Sequence, residues 1–274
     1  MPNSHTPETK ATSFSAKEKD EETQYSYFGA RYYMSDISVW LSVDPMADKY
    51  PSLSPFMYCA GNPVILVDPN GQKIVITGEA KKQYYNQVKV GAKSLGVSVK
   101  MDKTGTLSAK YKGKGVISEE GLKLLTAIND KNITVNINAT YSDYVDGKPF
   151  IGGAFMGNEI SGEKATAYQT VNPNDLQKLD DFYGTPGQSS LHEATEPYQG
   201  AVISLEKGIS SGDANSANSV YQQAHNEAIP LPFENLDKYN FDINGNQSNK
   251  TGLPAISVGW FFNNTNIKIK EVDY

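Results

Sequence analysis

The stretch SSLHEATEPYQGA, residues 189–201, sets His192 beside Glu193 and a second carboxylate, Glu196, four positions after the histidine. On a helix, residues i and i+4 share a face one turn apart, so His192 and Glu196 stand side by side. An imidazole and a carboxylate at that spacing can both ligate a cation about 2 Å away, with a position left open for water. Glu193 projects at a neighbouring angle, where a carboxylate can take a proton from that water. Such a site needs a third ligand. His225, in YQQAHNEAIP, is the only other histidine downstream. The trio His192, Glu196 and His225 has the two-imidazole, one-carboxylate composition of catalytic zinc sites. Glu227 or an asparagine would orient an imidazole through a second hydrogen bond. Tyr198 and Tyr221 lie close in sequence and could donate to an oxyanion, against the commoner role of each as a core tyrosine.

These residues need two helices to meet. The first is expected over about Ser190 to Lys207, stopped by Gly208, and the second over about Asp213 to Ala228, stopped before Pro230. The Gly/Ser/Asn-rich loop between them favours an antiparallel helix pair that returns His225 to His192. Pro197 falls inside the first helix, where it removes a backbone hydrogen bond and either tilts Glu196 towards the metal or ends the helix.

Upstream, KIVIT reads as a strand and EAKKQYYNQVKVGAKSLG as a helix ending at Gly96. VSVKM and TLSAKY form a hairpin around DKTG, and Ser118 caps a helix over SEEGLKLLTAIND. NITVNINAT, 132–140, alternates as a half-buried strand, ATAYQTV is another, and the C-terminal segment is a hairpin turning at Asn263-Asn264. The fold class is therefore α+β. Lys112, Gly113, Lys114 and Gly115 make a flexible basic turn without the strand-to-helix context of a phosphate loop.

The chain has 274 residues and a net charge of −6, of which residues 1–72 carry −4 and residues 73–274 carry −2. Its one arginine is Arg31, so the C-terminal part has no planar fork for gripping phosphate, which weighs against nucleic acid as a partner. A single cysteine, Cys59, excludes an internal disulfide and a cysteine-based zinc knot. No apolar run reaches the ~20 residues of a membrane span, and the N-terminus has no apolar stretch of the kind found in a classical signal peptide. Residues 1–24 are polar and charged and are expected to be disordered.

Residues 25–72 change character, with aromatic residues punctuated by Pro and Gly in a small turn-rich β module. The matching runs YFGARYYMSDISVWLSVDP, KYPSLSPFMYCAGNPV and LVDPNG resemble the Rhs-associated core segment of Rhs/YD-repeat polymorphic toxins. The resemblance implies that residues 73–274 form a C-terminal toxin domain delivered to a competing bacterium by a specialised secretion system. It also implies a cognate immunity protein, an Rhs shell or secretion machinery as partners, and release by self-cleavage through Asp44 and Asp68. Here Asp44-Pro45-Met46-Ala47 lacks the glycine of the paired motif, and Gln72 replaces a leucine. Residues 189–228 resemble a variant zincin metallopeptidase, whose H-E-x-x-H motif uses the glutamate as base; Glu196 stands where the second histidine would be. That resemblance implies zinc, a protein or peptide substrate and Glu193 as the catalytic base. Two alternatives remain open: metal-free acid–base hydrolysis of a glycan or nucleotide by His192, Glu193 and His225, and an inactive or binding-only tail.

Overall fold

A computed structural model describes residues 74–274 and, before them, only the backbone of five short strands: β1 (Thr12–Ser13), β2 (Lys17–Glu18), β3 (Ser26–Tyr27), β4 (Tyr32–Met34) and β5 (Val39–Trp40). The rest of residues 1–73, with most of the expected 1–24 and 25–72 segments and with Asp44 and Asp68, lies outside the described residues. The chain divides into two compact units, Met1–Asp68 and Pro69–Tyr274. In the first, β1 pairs with β2, and β3, β4 and β5 form an antiparallel sheet.

The second unit is α+β. Its elements are β6 (Ile74–Thr77), α1 (Lys81–Ser94), β7 (Val97–Met101), β8 (Leu107–Tyr111), α2 (Glu119–Asn129), β9 (Ile133–Ala139), β10 (Tyr144–Val145), β11 (Lys148–Pro149), β12 (Gly153–Ser161), β13 (Lys164–Val171), α3 (Pro173–Tyr183), α4 (Gln188–Lys207), α5 (Tyr221–Glu227), β14 (Leu236–Phe241), α6 (Ser248–Thr251), β15 (Ser257–Phe262) and β16 (Lys268–Asp273). The central sheet has the order β12-β13-β9-β6. β6 and β13 run parallel to β9, and β12 runs antiparallel to β13. In β9 the side chains of Ile133, Val135, Ile137 and Ala139 are buried, as a two-residue period requires.

α4 is the central helix. It packs across β9, β12 and β13 and is flanked by α1, α2, α3 and α5. Fourteen of its twenty residues are buried, so HEATE sits inside the protein and not on a solvated helix face. The helix begins where Asp180 accepts from the amides of Gly187 (2.7 Å) and Ser189 (2.9 Å), and it stops at Gly208 in the left-handed conformation. It runs through Pro197 without ending there. The partner helix is shorter than expected. α5 starts at Tyr221 and not at Asp213, because the Asp213 carboxylate accepts from the Asn215 amide and the Ser216 hydroxyl and closes a turn instead of a helix.

Both long edges of the central sheet are covered. Along β12, Asn158 N donates to Ser211 O (2.9 Å), Ile160 N to Ser210 Oγ (3.0 Å), and Ala214 N donates to Phe155 O (3.2 Å). On β6, Ile76 N donates to Gly105 O (2.9 Å) at the turn of the β7–β8 hairpin. Gly105 has φ +93, and a Cβ there would lie 2.1 Å from the Ile76 carbonyl oxygen, so only glycine closes this edge.

Candidate metal centre

The structure brings His192, Glu196 and His225 together, with one ligand atom from each within 4.8 Å of the others. His192 Nε2 lies 3.2 Å from Glu196 Oε2 and 3.0 Å from His225 Nδ1, and His225 Nδ1 lies 2.8 Å from Glu196 Oε2. His192 and Glu196 are buried; the His225 side chain is 27% exposed, which leaves one side of the cluster open to solvent.

The tautomers follow from the surroundings. His192 Nδ1 is 2.7 Å from the Ile229 carbonyl, which only accepts, so Nδ1 carries a proton and a neutral ring presents a lone pair at Nε2. That lone pair faces a carboxylate oxygen and the ring nitrogen of His225. A neutral His225 carrying its proton on Nδ1 donates to Glu196 Oε2, and a metal ion at the centre would take the place of that proton. Ligands 2.0–2.1 Å from a tetrahedral ion are roughly 3.3–3.4 Å apart. The observed separations are a few tenths of an ångström shorter, so the three tips admit an ion after a small withdrawal. The group His192–Glu196–His225 can hold a metal ion.

The backbone of Ile229 fixes this geometry. Its carbonyl accepts from His192, and its amide donates to Thr195 Oγ1 (3.0 Å), one helical turn from His192. The chain leaving α5 is thus pinned to α4. This replaces the expected orientation by Glu227, which is exposed. Thr195 and Ile229 leave no mark in the sequence that singles them out.

Glu193 is buried beside the trio. Gln169 Nε2, on β13, donates to Glu193 Oε2 (2.5 Å) and to Glu196 Oε1 (3.1 Å) and ties the two carboxylates together. Burial, reinforced by the charge of Glu196, pushes the Glu193 carboxyl up to about 7. For Glu196, burial pushes upward, but the hydrogen bond from His192 in its doubly protonated form and the one from His225 outweigh it and hold the carboxyl down at about 2. Burial alone would lower His192; its hydrogen bond to Glu196 and the nearby carboxylates carry it above the ordinary imidazole value. The two carboxyls thus have opposite characters, one ready to exchange a proton near neutrality and one fixed as an anion.

Gly153, the first residue of β12, lies directly against Glu193. A Cβ there would sit 1.7 Å from Glu193 Oε2 and 2.1 Å from Cδ. Sequence reasoning missed both Gly153 and Gln169. A signal for Gln169 existed: in ATAYQTV it occupies the buried phase shared by Ala165, Ala167 and Val171, where a polar residue has no packing role. Among the described residues its Oε1 has no hydrogen-bond partner.

The two tyrosines separate. Tyr198 OH donates to Asp130 Oδ2 (2.8 Å), on the segment after α2, and serves packing. Tyr221 is half-buried with its ring 5.5 Å from that of His225, and its hydroxyl is pushed up by burial and then by Glu196 and Glu193. Among the described residues, no helix is long and apolar enough to cross a membrane. No family model matches the chain, and no curated protein or solved structure matches it either.

Proposed function

We propose that residues 73–274 form a zinc-dependent peptide hydrolase, the C-terminal effector of an Rhs-type polymorphic toxin acting between competing bacteria. In this reading the chain reaches its target through a specialised secretion system, and a cognate immunity protein protects the producer. The hydrolase reading rests on one observation: three side chains able to ligate a metal converge from α4 and α5 with a buried carboxylic acid beside them. Two imidazoles and one carboxylate suit zinc, which when bound acidifies water and polarises a carbonyl. Glu193 takes the proton of the attacking water and passes it to the leaving amine. Its raised affinity for protons near neutrality suits both transfers. Gln169 holds Glu193 in place and keeps Glu196 oriented.

The test is elemental analysis of the purified full chain together with Glu193→Gln. One equivalent of zinc in both proteins, with hydrolysis of an unstructured protein substrate lost by at least 10²-fold in the variant, supports the reading. Absence of bound metal from an active wild-type protein overturns it. A second reading draws on the same distances, since 2.8–3.2 Å is also hydrogen-bond range. There His192, Glu193 and His225 act as a metal-free acid–base set on a glycan or nucleotide, and activity survives exhaustive chelation.

A further inference from the structure

The segment from Lys81 to Lys114 carries nine lysines and one acidic residue, Asp102, whereas residues 116–274 carry ten lysines and twenty acidic residues. Positive charge is therefore gathered on α1 and the β7–β8 hairpin of a protein that is acidic elsewhere. All nine lysines are exposed. Hydrogen bonds draw the end of α1 and the open end of the hairpin together: Gly96 N donates to Lys93 O (3.1 Å), and Lys112 N donates to Gly96 O (2.7 Å). The loop after β8 folds back, with Tyr111 OH reaching Gly115 O (3.4 Å). Lys93, Lys110, Lys112 and Lys114 thus stand on adjoining backbone segments. Among the described residues none of the four makes an ion pair. Beside them, Val116 is 96% exposed and Val90, on α1, is 50% exposed.

We propose that this face binds the surface of an anionic phospholipid bilayer. Protein interfaces are depleted in lysine and enriched in arginine and aromatic residues; the segment 81–116 itself contains neither an arginine nor an exposed aromatic ring. Single-stranded nucleic-acid grooves add stacking rings to their charges. A bilayer asks only for point charges near the headgroups, each worth about a fivefold gain in partition, and accepts a bare valine at a loop tip. The acidic residues outside this segment, beginning with Glu119 and Glu120 in the first turn of α2, bound the face and help orient the docked protein.

The experiment is co-sedimentation of the full chain with vesicles of phosphatidylcholine alone or with 30% phosphatidylglycerol, in low and high sodium chloride. Binding is expected only to the anionic vesicles, weakened about tenfold in high salt. Lys93→Glu/Lys110→Glu/Lys112→Glu/Lys114→Glu, checked for its circular dichroism spectrum, is expected to lose at least tenfold in binding, and Val116→Asp several-fold. If the quadruple variant fails to fold, Lys110→Glu alone is expected to lose at least fivefold. No sedimentation with anionic vesicles, equal sedimentation with neutral ones, or unchanged binding by the folded variants overturns the proposal. So does displacement from the vesicles by equimolar duplex DNA, which would reassign the face to nucleic acid.

Discussion

Replacing Gly153 by alanine tests the place of Glu193 without touching a metal ligand. The added Cβ would lie 1.7 Å from Glu193 Oε2, 2.1 Å from Cδ and 2.7 Å from Oε1, whereas real Cβ contacts essentially never fall below 3.0 Å. The carboxylate must retreat by more than about 1 Å. Gly153 is not in the left-handed region, so alanine adds no backbone strain and the effect is one of contact. Gln169 bonds Glu193 and Glu196 together, so the retreat either breaks the Gln169 bond or moves the amide with it. Overpacking of this size costs about 1–3 kcal/mol of stability. A displacement of about 1 Å in a catalytic group costs on the order of 10²-fold in rate. The expected result is a folded protein with undiminished zinc content and at least 10²-fold lower kcat, measured by elemental analysis, thermal unfolding and turnover of an unstructured protein substrate. Full activity in Gly153→Ala would refute the assignment of Glu193 as base. Loss of zinc with the activity would show that Gly153 supports the ligands instead.

The buried Glu193 also makes a pH prediction for the metal-free protein. Its folded pKa of about 7 lies above the unfolded value of about 4.3, so the folded state binds the extra proton and stability falls as pH rises from about 4 through 7. The full loss is about 3–4 kcal/mol by pH 8, most of it above pH 5, and Glu193→Gln is expected to flatten it in urea unfolding at pH 5 and pH 8; an unchanged slope places the proton elsewhere. His225→Ala removes a half-exposed ligand from a short helix and is expected to weaken zinc binding by at least ~10²-fold with little change in unfolding midpoint. His192→Ala should lose metal and also cost about 1–3 kcal/mol, because it strands the Ile229 carbonyl. Lys270 is buried between Asp175 (2.7 Å) and Asp143 (2.6 Å). Lys270→Met is expected to destabilise by about 3–5 kcal/mol, and adding Asp175→Leu to recover part of it, both read by chemical denaturation.

Local signals were legible wherever a short motif decides the structure. The Ser118 cap of α2, the alternation of β9, the DKTG hairpin and the Gly208 stop of α4 all stand where their residues indicate. α3 was missed although its signals are present: Asn172 accepts from Asn174 N, Pro173 opens the helix and Gly184 ends it in the left-handed conformation. The polar, half-exposed LDKYNF of β14 carries little hydrophobic contrast, and its strand character comes from pairing with β15. The ligand trio could be read because i and i+4 are fixed by helix geometry and histidines are scarce. Gln169 and Gly153 reach the same site across strands far off in sequence, and only the three-dimensional register β12-β13 under α4 brings them there.

The two covered margins of the central sheet bear on how the protein behaves in a crowd. A bare strand margin is a template on which other chains polymerise. Here the 209–214 segment occupies the outer side of β12 and the Gly105 turn occupies that of β6. These two margins are thereby closed to the strand of a neighbouring copy. A glycine lost at position 105 would reopen one margin and change the protein's solubility before it changed any chemistry.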